Sequence, residues 1–179
     1  MKYFSKWLAF FIIILTLIFI ANIFISTGFF RTIENKFEGE IIKKIDLPGA
    51  EDITIGYPDN FALISSTDRS VYPPFKQEIG GIYFLNLNDG NYKVTSLTSD
   101  LPIPFAPHGI SMIKSDSTYN VMTVNHTTKG HSLEVFKLID GKLIYKKTLK
   151  DPLMVSPNDV VLIDNHRFYF TNDHKYTKG

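Results

Sequence analysis

Two pairs of neighbouring polar residues stand at points where the sequence predicts the start of a β-strand. Glu51-Asp52 and Asn158-Asp159 each come directly before a run rich in β-branched residues. Adjacent side chains on a strand point to opposite faces, so each pair can serve two different sites. Carboxylate and amide oxygens are the ligands that calcium prefers. The pattern is compatible with two neighbouring cation sites, although carboxylates at strand starts are more often solvated turn residues.

Further short motifs accompany these pairs in a fixed order along the chain. They occupy residues 51–52, 61–66, 107–111, 124–126, 133–137, 158–161 and 168–174. In this order they resemble the serum paraoxonase/arylesterase family of calcium-dependent lactonases. The similarity extends from about residue 45 to residue 175, and several spaced motifs in one order are more specific than any single motif.

The resemblance implies two calcium ions in a central tunnel. Glu51 and Asn158 match ligands of the deeper, catalytic ion. Asp52, Asp159 and the backbone carbonyl of Ile110 match ligands of the structural ion. The family's remaining catalytic ligands, an Asn and an Asn-Asp pair, match no position in this sequence. We therefore expect the catalytic ion to bind weakly or not at all, whereas the structural site keeps its matching ligands.

Two histidines match the pair that the family uses to activate water. They are His108 and His126, of which one is thought to deprotonate the water while the other tunes it. Histidine suits this role because its usual pKa lies near neutrality. Asp173 and His174 match a further family motif and are expected to support the pair without contacting the substrate. The plainer alternative is that both histidines are ordinary strand residues.

Other candidate residues are assigned no role. His131 and His166 stand beside predicted turns and are expected to be solvated. Residues 125–127 fit the glycosylation sequon, which we interpret as a chance match because a glycan there would block the histidine pair.

Two functions from different classes follow from the resemblance. The first is a calcium-dependent hydrolase of lactones and aryl esters, in which a histidine-activated water attacks a calcium-polarised carbonyl. The second is a non-catalytic, membrane-tethered propeller fragment that acts as an interaction module. Whether this chain is an enzyme stays open, and we expect it to be inactive without the family's missing ligands.

The first 30 residues predict a membrane anchor. Residues 7–26 form a run of 20 residues without a formal charge, long enough to cross a bilayer as a helix. Lys2 and Lys6 precede this run and only Arg31 follows closely, so we expect a single-pass protein with a cytoplasmic N-terminus and an exported remainder. A cleaved signal peptide is the alternative. Residues 31–44 are predicted to form a juxtamembrane linker.

Residues 45–179 predict an all-β fold. Short strand-like runs are joined by turn signals, among them Asp89-Gly90 and Asp140-Gly141, with no amphipathic helical run between them. This pattern indicates a sandwich or a propeller, and the resemblance implies a six-bladed propeller. About nine or ten strands would supply between two and three blades of four strands each. The sequence is therefore predicted to be the N-terminal part of a propeller that needs a C-terminal half or a partner chain.

Composition excludes some classes of partner and site. The net charge of +1 gives no electrostatic footprint for nucleic acid. There is no cysteine, which excludes a disulfide and a thiolate metal site. This is a departure from the animal paraoxonases, in which a disulfide ties the two ends of the chain together.

Overall fold

The computed structural model describes residues 2–34, 36–70 and 80–176. The outer ends of the predicted segments 1–30 and 45–179 thus lie outside the described residues. The chain divides into two compact units, residues 1–42 and 43–179.

The first unit is built on one helix, α1, over Lys2–Ser26. The helix contains no glycine or proline and is apolar on every side. Its stretch Tyr3–Ser26, of 24 residues, is long and apolar enough to cross a membrane. At 1.5 Å per residue this stretch is about 36 Å long, against about 30 Å of hydrocarbon. The helix ends where Gly28 adopts a φ of 67°. The predicted helix is confirmed, whereas its position in a membrane stays a prediction.

The second unit consists of ten described strands in three antiparallel sheets. The first sheet has the order β1-β2-β3-β4, with β1 at Ala50–Gly56, β2 at Phe61–Thr67, β3 at Gly80–Asn86 and β4 at Val94–Ser96. The second has the order β5-β6-β7-β8, with β5 at Pro107–Ser115, β6 at Thr118–Thr127, β7 at Gly130–Ile139 and β8 at Lys142–Leu149. The third pairs β9 at Pro157–Leu162 with β10 at Phe168–Asn172. The predicted all-β class is confirmed.

Short turns connect several of the paired strands. The predicted turn at Asp140-Gly141 joins β7 to β8, and both of its residues have positive φ, 47° and 73°. Asn and Asp tolerate this left-handed conformation better than other non-glycine residues. Asn60 and Asp116 use it in the β1–β2 and β5–β6 turns.

The core lies on both faces of the second sheet. Val121 and Met122 are neighbours in β6, so their side chains point to opposite faces. Val121 belongs to a cluster shared with the first sheet, which includes Phe61, Leu63, Ile82, Phe105, Ile110, Tyr119, Phe136 and Leu138. Met122 belongs to a second cluster with Val124, Leu133, Met154 and Val160, which reaches β9. The three sheets are thus stacked side by side, with the second sheet in the middle.

Candidate active site

The first strand of each sheet has an irregular register where the predicted site residues lie. Strand β1 has one extra residue, Glu51, relative to β2. Strand β5 has one extra residue at His108-Gly109 relative to β6, and β9 has one at Asn158-Asp159 relative to β10. A β-bulge redirects side chains and is common beside active sites. The three bulges therefore mark the places where side chains leave the regular alternation of their sheets.

Backbone contacts bring the three bulged strands together. The backbone N–H of Ile110 donates to Oδ2 of Asp52 at 2.8 Å, which links β5 to β1. A Cβ placed on Gly109 would lie 2.5 Å from the Cα of Asp159, so β5 also lies directly against β9. The structure thus brings together the predicted structural-calcium residues Asp52, Ile110 and Asp159.

The oxygen donors at this point fit calcium in kind but not in number. Asp52 and Asp159 supply carboxylates, each with one oxygen that already accepts the backbone N–H of the following residue. Calcium takes six to eight oxygens, and carboxylates with backbone carbonyls are its usual protein ligands. Among the described residues, no group of three or more His, Cys, Asp or Glu side chains could hold a metal ion.

Glu51 lies beside Asp52 in β1 but has different partners. Its Oε1 is 3.2 Å from Nε2 of His108, and its Oε2 is 3.5 Å from Nε of Arg69. A carboxylate thus bridges a histidine and a guanidinium. The sequence did not identify Arg69 as part of the site. The only feature that could have suggested it is a positively charged residue two positions after the end of β2. Glu51 and Asp52 thus contact different groups, as expected for neighbouring side chains on a strand.

The two predicted histidines lie side by side. The ring centroids of His108 and His126 are 5.2 Å apart with an interplanar angle of 62°, an edge-to-face arrangement. The backbone N–H of His126 donates to the carbonyl of Ala106 at 3.0 Å, which ties β6 to the segment that leads into His108. Residues 18 positions apart in the chain are therefore held against each other by adjacent strands.

Burial keeps both imidazoles neutral at pH 7. Desolvation lowers the pKa of His126 to about 3, helped by the charges that His131 and Arg69 can carry. Desolvation also lowers the pKa of His108, but Glu51 acts in the opposite direction and favours the charged ring. Both rings are thus neutral at pH 7, but only His108 has a carboxylate beside it that would stabilise its protonated form.

His131 is not a solvated turn residue, and that expectation was wrong. It is half-buried and directly opposite His126 in the β6–β7 ladder. The Nδ1 atoms of the two rings are 2.8 Å apart. The expectation failed because the β6–β7 turn has only two residues, 128–129, so His131, the second position after the turn, is already in the strand and pairs with His126.

Asp173 and His174 follow directly after β10 and differ in their contacts. The negative charge of Asp173 favours the protonated form of His108. His174 instead places Nε2 at 3.2 Å from Oγ of Ser156, and its Nδ1 accepts the backbone N–H of Tyr176. Asp173 therefore acts on His108 through its charge, and His174 anchors the end of β10.

A buried polar network lies behind the histidine pair. Asn125 is 2% exposed, and its amide donates to Oε1 of Glu134 at 3.0 Å and accepts the backbone N–H of Ala106 at 2.9 Å. Glu134, 1% exposed, also accepts hydrogen bonds from Ser132 and Thr148. A buried, hydrogen-bonded Asn125 leaves no room for a glycan, which agrees with the interpretation of residues 125–127 as a chance match.

Comparison with known proteins assigns the chain to a family. A family model described as Arylesterase matches residues 30–179. Serum paraoxonase/arylesterase 2 of Gallus gallus is 36% identical over 146 residues, which cover 76% of this chain and 40% of that protein. Serum paraoxonase/lactonase 3 of Homo sapiens is 36% identical over 141 residues, covering 73% of this chain and 39% of that protein. The chain thus spans about two fifths of the length of these curated relatives. These matches show that the chain belongs to the arylesterase family.

Proposed function

We propose that this protein takes part in the hydrolysis of carboxylic esters and lactones. The observation that carries the proposal is the placement of the His108 ring between the Glu51 carboxylate, 3.2 Å away, and the ring of His126. The names of the relatives, arylesterase and lactonase, give the substrate class. Lactones and aryl esters have the same reacting group, a carbonyl carbon that bears an oxygen leaving group.

His108 is the better candidate for the general base. A ring whose pKa is about 3, as in His126, is too weak a base to take a proton from water efficiently near pH 7. Glu51, beside Nε2 of His108, stabilises the ring once it is charged. When Nε2–H of the neutral ring donates to Glu51, Nδ1 is the nitrogen that can accept the proton. His126 is then a positioning residue that orients the ring of His108.

The reaction follows from these roles. His108 accepts a proton from a water molecule as the water oxygen bonds to the carbonyl carbon. The carbon–oxygen bond to the leaving group then breaks, and the protonated His108 returns the proton to the departing oxygen. Asp173 and Glu51 favour the transient imidazolium. His174 holds the end of β10 and does not enter the reaction.

We propose calcium as the cofactor, with the ligands implied by the resemblance. Glu51 and Asn158 would contribute to a catalytic ion, and Asp52, Asp159 and the Ile110 carbonyl to a structural ion. When bound, the catalytic ion would supply a positive charge that polarises the substrate carbonyl. The proximity of Asp52, Ile110 and Asp159 supports the structural site. The catalytic site has fewer protein oxygens here, and both oxygens of Glu51 already face other groups.

The architecture that we propose around this site is a partial propeller on a membrane anchor. The two four-stranded meanders have the form of propeller blades, and β9–β10 would begin a third. Further blades from additional sequence or from a partner chain would close the ring. Residues 1–30 would anchor the protein in the membrane with the N-terminus in the cytoplasm. Residues 31–44 would link this anchor to the β-unit, and residues 45–179 would lie on the opposite side of the membrane from the cytoplasm.

One observation favours a non-catalytic second candidate. Arg69 is already paired with Glu51, where a catalytic calcium would have to bind. An interaction module that retains only the structural calcium would have this arrangement. The two candidates differ in whether calcium binding is accompanied by hydrolysis.

The test is an assay of the full-length gene product, including any residues that follow Gly179, in detergent with millimolar calcium. We expect turnover of an aryl acetate and of a six-membered lactone, and loss of both activities after calcium chelation. Calorimetry on the same sample measures calcium binding. A folded protein that binds calcium and hydrolyses neither substrate would support the interaction module instead.

A further inference from the structure

The ring of His131 contacts the ring of His126, although His131 has no role in the proposed reaction. The two rings meet edge to face, with centroids 4.6 Å apart and an interplanar angle of 79°. Their Nδ1 atoms are 2.8 Å apart, the distance of a good hydrogen bond. The histidines of the site therefore form a row, in which His126 contacts His108 on one side and His131 on the other.

The hairpin itself fixes this contact. Strands β6 and β7 pair continuously up to Thr127 and Gly130, and His126 and His131 are the next pair. The turn is closed further by a hydrogen bond from Oγ1 of Thr127 to the carbonyl of Gly130, which has a φ of 109°. Side chains that face each other directly across antiparallel strands have Cβ atoms about 5 Å apart. The contact is thus local to one hairpin and does not depend on any other sheet.

The short distance requires opposite protonation of the two Nδ1 atoms. Two protons or two lone pairs would repel each other at 2.8 Å, so one nitrogen donates and the other accepts. A neutral imidazole has a single donor nitrogen, and the backbone carbonyl of Pro157, which interacts with the His126 ring, favours an N–H on that ring. Because Nδ1 of His126 faces His131, we assign this N–H to Nε2, so that Nδ1 of His126 accepts and Nδ1–H of His131 donates.

We propose that His131 is a positioning residue for the reaction, which fixes the tautomer and orientation of His126. With its Nδ1 occupied by His131, His126 keeps its proton on Nε2 and cannot rotate about its side-chain bonds without losing both partners. The fixed ring of His126 in turn supports the edge-to-face contact with His108. The expected effect of His131 on the reaction rate rests on the proposed hydrolytic function. Its expected effect on the tautomer of His126 does not.

The first experiment is independent of activity. Long-range ¹H–¹⁵N spectra of protein labelled on histidine, in detergent micelles at pH 7, report the protonated nitrogen of each ring. We expect His126 to be protonated on Nε2 in the wild-type protein and to become a mixture of tautomers in His131→Val. His131→Asn, whose side-chain N–H₂ can replace the Nδ1–H donor, should restore the single tautomer. An unchanged His126 tautomer in His131→Val would overturn the proposal.

The second experiment measures the effect on hydrolysis of an aryl acetate by the full-length gene product. Misplacement of a catalytic group by about 1 Å can cost up to about 100-fold in rate, and we expect kcat to fall roughly tenfold in His131→Val with little change in KM. His131→Asn should recover most of the loss, and His166→Asn, on an exposed turn, should have no effect. Equal kcat values for wild type and His131→Val would contradict the role. A wild-type protein without hydrolysis would refute the proposed function, while the tautomer experiment would still decide the His126–His131 contact.

Discussion

Gly109 lies so close to Asp159 that a Cβ on Gly109 would be 2.5 Å from both Cα and Oδ1 of Asp159. Backbone atoms cannot move aside cheaply, so any side chain at this position must separate β5 from β9. We expect Gly109→Ala to destabilise the protein by about 1–3 kcal/mol. Each kcal/mol lowers the melting temperature by about 2–4 °C in a chain of this size, which circular dichroism in detergent can measure.

A matched glycine serves as the control for this prediction. A Cβ on Gly90 would meet no atom within 4 Å, so Gly90→Ala should leave the melting temperature almost unchanged. Equal effects of the two substitutions would show that β5 and β9 are not in close contact in solution.

The buried His126 makes stability depend on pH. Its pKa is about 3 in the folded protein against about 6.5 in the unfolded chain, so the unfolded chain binds more protons between these values. The contribution of neutral His126 to stability is therefore complete above pH 6.5 and is lost as the pH falls towards 3. We expect the melting temperature of the wild type, without calcium, to fall between pH 7 and pH 4.5 more steeply than that of His126→Asn. Parallel curves for the two proteins would contradict the buried neutral ring.

Arg69 should weaken the binding of calcium beside Glu51. The guanidinium is 3.5 Å from the carboxylate that the ion would use, and a second cation there is repelled. We expect Arg69→Met to bind calcium roughly tenfold more tightly by isothermal titration calorimetry, which equals about 1.4 kcal/mol. Arg167→Met, which removes an exposed ion pair with Asp164, is the control and should not change the affinity. Unchanged or weaker binding by Arg69→Met would exclude a calcium ligand at Glu51.

Glu134 should be required for its two accepting oxygens. Oε1 accepts from Asn125 and Ser132 and Oε2 accepts from Thr148, so Glu134→Gln would place an amide N–H₂ against at least one of these donors. A buried polar mismatch of this kind costs about 1–3 kcal/mol. Thermal unfolding should show the loss in Glu134→Gln but not in Glu34→Gln, an exposed residue of the linker. Equal melting temperatures for Glu134→Gln and the wild type would show that the carboxylate network contributes little.

Sequence reasoning predicted the elements of the fold because they depend on local chemistry. An uncharged apolar run specifies the helix, and residues such as Asp140-Gly141, which tolerate positive φ, specify a turn. The motifs also selected residues that the structure brings together, His108 with His126 and Asp52 with Ile110, whereas their roles stay predictions.

The detailed geometry of the site was not predictable in the same way. The extra residues at Glu51 and His108-Gly109 are defined by the register of a strand against its neighbour, and no local pattern specifies that register. The pairing of Arg69 with Glu51 depends on how β1 and β2 align. The position of His131 was accessible in principle, because counting outward from the two-residue turn before Gly130 places it opposite His126.

The most direct test of the central claim is the rate of ester hydrolysis in His108→Gln. The full-length gene product would be assayed with an aryl acetate at pH 7.5 and saturating calcium, alongside His166→Gln as a control on an exposed turn. General-base catalysis contributes about 10²–10⁴ in rate, so we expect kcat to fall at least 100-fold in His108→Gln and to stay unchanged in His166→Gln. Calcium binding and melting temperature, measured on the same samples, should stay near wild type. A His108→Gln protein that is folded, binds calcium and retains the wild-type kcat would contradict His108 as the base.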